Sequence, residues 1–213
     1  MEKILSAVKG AQEEFRELIL ASEIGNQGLE EAQYIRYLQM QYHLVRDVQK
    51  QFFAIAGQPS VFKKRKFSEF LLHFGVEEGP HFKMAERDLT ALGAGVGEPP
   101  LDVKLWWSYF SDIIKERPYL RLGGTCVLEN VGTAVGDLID SAISKSSFLT
   151  QKNTTFLILH KHEVVNHGEQ IIEAISNAEL SEEEIGDVLQ GIEESKILFF
   201  RMFRWVLNGE NLF

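Results

Sequence analysis

Five ionisable residues fall where helices are expected to present their apolar sides: Glu78 and His81, Glu129, and His160 with His167. A titratable side chain on such a stripe needs a partner or a metal ion to offset its desolvation. The segment His160-Lys161-His162-Glu163-Val164-Val165-Asn166-His167 carries the strongest signal. At about 100° per residue, His160 and His167 lie within roughly 20° of each other, two turns apart, and share a face with Phe156, Val164 and Ile171. Two imidazoles therefore point into one interior space. His162 lies roughly 200° from His160 and faces solvent, while Glu163, offset by roughly 60°, can reach the edge of that space.

In Phe74-Gly75-Val76-Glu77-Glu78-Gly79-Pro80-His81 an acidic pair precedes a histidine. On a regular helix Glu78 and His81 are neighbours, close enough to chelate one metal or to share a proton. A surface acid-imidazole pair satisfies the same pattern, and the Gly79-Pro80 step leaves open whether Glu77 or Glu78 turns inward. His73 is either a rim residue or a further participant. Gly132 and Gly136 follow Glu129 on one helical face, leaving a strip bare of side chains. Such a strip admits a ligand, water or the close approach of another backbone.

The elements that must position these groups are helical. Apolar residues recur with the helical period along almost the whole chain, and no segment alternates strictly as a half-buried strand does. The pattern predicts helices over about 2–24, 29–56, 60–92, 102–117, 118–144, 154–177 and 181–207, with a kink or break in the third at Gly79-Pro80. Ser60 and Asp102 are expected caps, and Ser181-Glu182-Glu183-Glu184 reads as a capping box. No repeat or low-complexity linker interrupts residues 1–213, so one all-α domain, a bundle of about seven helices, is expected.

Composition narrows the partners. A formal net charge of −9 argues against phosphate-backbone binding, hence against nucleic acid. The basic run Lys63-Lys64-Arg65-Lys66 reads as a solvated helix face. No stretch approaches the roughly 20 apolar residues that span a bilayer, so no membrane partner is expected. The single cysteine, Cys126, sits in an apolar setting and reads as a buried structural thiol. With Met1-Glu2-Lys3-Ile4-Leu5-Ser6 unlike a secretion signal, the expected address is the cytoplasm. The aromatic stretches Leu105–Phe110 and Phe199–Trp205 exceed the needs of one helix face, which a homodimer interface or a larger core would absorb.

Four separated segments resemble one family, the haem-oxygenase-like diiron oxidases of the haem oxygenase, TenA and PqqC-like fold superfamily. Tyr37-Leu38-Gln39-Met40-Gln41-Tyr42-His43-Leu44-Val45-Arg46 is similar to its second-helix segment. Glu77-Glu78-Gly79-Pro80-His81 with Asp88-Leu89-Thr90-Ala91-Leu92-Gly93 resembles its acidic-pair, histidine and Asp-Leu stretch. Leu122-Gly123 leading to Val127-Leu128-Glu129 resembles its next ligand helix, and Phe156-Leu157 followed by His160 and His167 its closing motif. The resemblance implies a haem-oxygenase-like multi-helical bundle and makes Glu78, His81, Glu129, His160 and His167 iron ligands. The family's closing motif is His-x-x-x-Asp-x-x-His, and Val164 stands at the aspartate, where it coordinates nothing. His43 and Asp47 are the nearest substitutes for the family's early glutamate. Haem oxygenases themselves fit less well, because residues 1–24 contain no histidine to serve as proximal ligand. A TenA-like thiaminase would need a thiol in polar surroundings, which Cys126 lacks.

The function implied by the resemblance is that of a non-haem iron-dependent oxidase or oxygenase. It would hold one or two iron ions and act with dioxygen on a small organic substrate in a pocket lined by residues such as Tyr42 and Val164. The alternative is a metal-free member of the fold that binds a small organic ligand or partner protein without catalysis. A closed hydrogen-bond network in the core is the third reading of the same residues.

Overall fold

The computed structural model describes residues 1–209, without the side chains of residues 160–166. Its described residues form ten α-helices of nine residues or more, two single-turn helices and one 3-10 segment, with no strand. The helices are α1 (Glu2–Ala21), α2 (Ile24–Gln27), α3 (Glu31–Val45), α4 (Val48–Ala56), α5 (Pro59–Phe62) and α6 (Arg65–Glu78). They continue with α7 (Phe82–Ala91), α8 (Leu101–Ile113), α9 (Pro118–Leu128), the 3-10 segment Val131–Val135, α10 (Gly136–Lys145), α11 (Thr155–Asn177) and α12 (Glu182–Asn208). The all-helical expectation holds, but the count exceeds seven because three long predicted helices are each divided.

Each division bears on where a functional side chain points. Pro80 cannot continue the hydrogen-bond ladder, so α6 ends at Glu78 and α7 begins after His81. The helix predicted over 118–144 ends at Leu128; Asn130 donates its side-chain amide to the Cys126 carbonyl at 2.9 Å, and the chain tightens into the 3-10 segment. The 29–56 helix is interrupted at Arg46 and Asp47. Ser60 lies inside α5, with Gln58 at the cap position and Pro59 in the first turn. Asp102 lies in the first turn of α8 rather than at its cap, and its Oδ1 is 3.1 Å from Arg201 Nη2. The capping box at Ser181 is present as read.

At the centre runs α9, whose residues Pro118 to Val127 are all buried. Its closest neighbour is α12, and two glycines permit the approach. A Cβ on Gly191 would stand 1.8 Å from the Leu120 carbonyl oxygen, and one on Gly123 would stand 2.3 Å from that of Val188. Around this pair, α4 packs on α6, α3 on α7, α1 on α12 and the 3-10 segment, and α10 on α2. Phe15 of α1 meets the rings of Phe199, Phe200 and Phe203 of α12 at 4.7 to 5.9 Å between centroids. The aromatic surplus goes largely inward: Trp106, Phe110, Phe199 and Phe200 are buried, while Leu105 and Tyr109 stay exposed.

The start of α11 is held from α7. Asp88, fully buried, accepts the Phe156 backbone N–H on Oδ2 at 2.8 Å, satisfying one of the donors that a helix N-terminus leaves over. Burial raises the Asp88 carboxyl, and the backbone donors of Phe156 and Thr155 pull it back. Asp88→Ala is expected to cost about 1 to 2 kcal/mol, the worth of a good cap, read as a lower urea midpoint at unchanged slope.

Candidate metal centre

Glu78 is the last residue of α6, and the Pro80 break sets its rotation: its side chain is buried while Glu77 is exposed. The same break turns His81 back towards it, placing Nδ1 2.9 Å from Glu78 Oε2. From α11, His167 Nδ1 comes to 2.7 Å from Glu78 Oε1. From the end of α9, Glu129 brings Oε2 to 3.9 Å from the same imidazole nitrogen. Three helices therefore deliver Glu78, Glu129 and His167 with ligand atoms all within 4.8 Å of one another, a group that can hold one metal ion. His81 flanks it from the far side of Glu78, its ring 6.3 Å from that of His167 and nearly parallel.

Two local features make this convergence possible. Phe74, one turn before Glu78 on α6, packs its ring 5.0 Å from the His167 imidazole. Gly168 lets α11 settle against the end of α9, where an added Cβ would meet Asn130 Oδ1 at 2.6 Å and the Glu129 carbonyl at 2.7 Å. Neither residue was expected from the sequence, although a glycine directly after an inward histidine was a usable signal.

Arg121 is the other unanticipated member. It precedes Thr125 and Glu129 by one and two turns on the inner face of α9, is 1% exposed, and donates to Gln51 Oε1 at 2.6 Å and Thr125 Oγ1 at 3.0 Å. The rings of Trp106 and Phe110 each lie 5.3 Å from its guanidinium carbon. Burial pushes it down to about 10, so it remains a cation at neutral pH, and its charge pulls the Glu129 carboxyl down.

The two carboxyls are driven apart. Burial would raise Glu78, but hydrogen bonding and charge from His167 and His81 outweigh it and hold it below the usual range. Burial raises Glu129, the charge of Glu78 raises it further, and His167 and Arg121 offset only part. His167 is raised, first by its hydrogen bond to Glu78 and against the effect of burial. In the metal-free chain the surroundings thus favour the anionic form of Glu78 and the protonated forms of His167 and Glu129.

The sign of each shift predicts a pH profile. The depressed Glu78 stabilises the fold above the ordinary glutamate value of 4.5 and loses that contribution as pH falls through its lowered value. The raised His167 stabilises below the ordinary histidine value of 6.5 and loses its contribution as pH rises through its raised value. Raised Glu129 lowers stability from the ordinary glutamate value of 4.5 up to its raised value of about 8, because the folded chain keeps a proton that the unfolded chain has lost. Metal-free protein is therefore expected to melt highest near pH 4.5, where the Glu78 rise is complete and the Glu129 loss begins, and Glu78→Gln to flatten both limbs. A wild-type melting temperature that climbs steadily to pH 9 would contradict this.

The remaining predicted residues fall as follows. His160 and Val164 lie outside the described residues, as do the side chains of His162 and Glu163. His43 donates Nε2–H to the carbonyls of Val96 and Gly97 at 3.1 and 3.0 Å, tying down the loop after α7. Asp47 pairs with Arg46 and Lys50 at the surface. His73 is exposed. Cys126 is buried, and burial pushes its thiol up to about 12, consistent with a structural role.

A cavity of about 340 Å³ adjoins the end of α9, with none of Glu78, Glu129 and His167 in its lining. It is walled by apolar side chains of α1, α3, α10 and α12, by Leu128 next to Glu129, and by Gly132 and Gly136. Tyr42, expected in its wall, instead packs on Phe82, 5.7 Å between centroids.

The same arrangement of helices occurs in solved structures. A domain of unknown function with a haem oxygenase-like fold from Shewanella denitrificans superposes with a TM-score of 0.78 at 21% identity, over 96% of this chain and 89% of its own. The chain has the haem-oxygenase-like fold. A TenA homologue from Pseudomonas syringae pv. tomato shares that fold at a TM-score of 0.71 and 11% identity, over 96% of this chain and 91% of its own. A CADD-like protein of unknown function from Nostoc punctiforme does so at 0.67 and 14%, over 95% and 97%. No family model matches the sequence, and no curated protein matches it. Within this haem-oxygenase-like bundle no described helix is long and apolar enough to cross a membrane.

Proposed function

We propose that the chain is a non-haem iron-dependent oxidase or oxygenase that acts with dioxygen on a small organic substrate. The observation that carries this reading is the convergence of Glu78, Glu129 and His167 from three helices, with His81 behind Glu78. Hard carboxylates with imidazole form the donor set that suits Fe(II) while leaving positions open. Both oxygens of the buried Glu78 carboxylate face an imidazole, Oε1 at 2.7 Å from His167 Nδ1 and Oε2 at 2.9 Å from His81 Nδ1, so a cation entering the group would take the place of the His167 proton.

Glu78, Glu129 and His167 would hold the ion, with His160 a further ligand implied by the family resemblance. Iron held there supplies the activation of dioxygen. The protein's own residues do the rest. His81 orients the Glu78 carboxylate through its 2.9 Å contact. Glu129 and His167 each favour the protonated form and must give up that proton to ligate, so metal uptake near neutral pH is expected to release about two protons per ion. The apolar cavity next to Leu128 seats the substrate.

The alternative, a metal-free ligand- or partner-binding member of the fold, is favoured by Val164 at the aspartate position and by the imidazole beside each Glu78 oxygen. Iron content after anaerobic Fe(II) loading and desalting separates the two, with His167→Ala beside the wild type. One or two irons per chain, lost in the variant, supports the oxidase; two would mean that another residue replaces the aspartate. Wild type and variant both free of iron would leave the alternative standing.

A further inference from the structure

We infer that the cavity at the end of α9 takes one uncharged, largely hydrocarbon molecule, and that Gly132 and Gly136 set how long that molecule can be. This rests on the reading of the cavity as the substrate's seat and adds the substrate's class.

The class follows from the wall. Among the described residues no Asp, Glu, Lys, Arg or His lines the cavity. A charged group brought into it would lose its hydration with no counter-charge to meet it. Two of its four polar side chains are already committed. The Tyr34 hydroxyl donates to the Asn153 carbonyl at 2.8 Å, and Thr133 Oγ1 donates to the Asn130 carbonyl at 2.7 Å while accepting from Gln12 at 2.9 Å. Burial raises the Tyr37 phenol well beyond its ordinary range, so it stays neutral, with Gln41 as its hydrogen-bond partner. Gln41 and Tyr37 are left as one polar point in an otherwise apolar chamber, room for a single hydroxyl, carbonyl or ether oxygen.

The length limit follows from the glycines. Both line the cavity, and a Cβ built on either meets no atom within 4 Å. Neither has a positive φ, so neither is required by its backbone conformation. Gly132 is exposed and Gly136 half-buried, so their bare faces keep the rim of the cavity open. A leucine at either position would project into that space without striking the protein, and would occupy what the far end of a ligand otherwise fills.

The test uses full-length, metal-free protein and N-phenyl-1-naphthylamine, a neutral fluorescent probe, displaced by straight-chain primary alcohols of increasing length. Wild type is expected to bind the probe, and alcohol affinity to rise with length up to a limit. Gly132→Leu is expected to weaken the longest bound alcohol roughly tenfold or more while sparing short ones and leaving the melting temperature at or above wild type. Gly136→Leu gives the same readout at the next turn and serves if the first variant melts low. No probe binding by wild type, or an unchanged length limit in a well-folded variant, would overturn the inference. So would fatty carboxylates binding as tightly as alcohols of equal length. Because no metal is present, failure of the iron titration leaves this result intact, and the converse also holds.

Discussion

Gly191→Ala is expected to cost the fold on the order of 3 kcal/mol or more, among the largest effects of any single methyl group in this chain. The new Cβ would stand 1.8 Å from the Leu120 carbonyl oxygen and 2.8 Å from its carbon. Those are backbone atoms of a helix buried along almost its entire length, so they cannot rotate aside as a side-chain tip would. Relief requires α12 and α9 to separate, which would open the core along their whole contact. For a chain of this size the loss corresponds to a fall in melting temperature of about 10 °C. Gly186→Ala supplies the control: it lies on the same helix with nothing within 4 Å of its added Cβ, so the better helix propensity of alanine should leave stability unchanged or raise it by about 1 kcal/mol. Equal melting of the two variants would show that the α9-α12 contact is looser than described.

Gly168→Ala is expected to weaken metal binding about tenfold to a hundredfold, because it acts on the distance between ligands rather than on a ligand. Its Cβ would press on Asn130 Oδ1 at 2.6 Å and on the Glu129 carbonyl at 2.7 Å. The Asn130 side chain can turn away at the cost of its bond to the Cys126 carbonyl, but the Glu129 carbonyl is main chain. The strain therefore pushes α11 off the end of α9 and carries His167, the adjacent residue, away from Glu129 and Glu78. Calorimetric titration with Fe(II) or Co(II) measures the effect. Gly168→Ala with Asn130→Ala should recover part of the affinity but not all, since one of the two obstacles is removed. Wild-type affinity in the single variant would mean that α11 does not set the ligand spacing.

The sequence carried the type of every long element, because helical periodicity survives in the positions that become core, from Ile4, Val8, Ala11 and Phe15 of α1 to Val188, Ile192 and Phe199 of α12. The breaks were harder to read. Pro80 announced one of them by its missing donor, but the end of α9 depends on an asparagine side chain reaching back one turn, a choice that periodicity does not encode. Glu78, Glu129 and His167 stood out as titratable residues on apolar stripes, and those stripes do converge. His43 lay on a stripe too and turned out to hold a loop. Arg121, Gly168 and Gly191 stayed hidden because their roles come from what the neighbouring helix places against them, and a stripe pattern describes one helix at a time.

Glu129 closes α9 at its carboxyl end, where its backbone N–H still bonds to the Thr125 carbonyl. Peptide dipoles along a helix sum to a partial negative charge at that end, worth roughly 0.5 of an elementary charge. A carboxylate at that end is opposed by the helix itself, in the same direction as the burial that raises Glu129, whereas a cation there is favoured by the helix end. The central helix of the bundle thus acts as an electrode aimed at the three converging side chains. Its field would favour a divalent ion over the proton that Glu129 otherwise keeps.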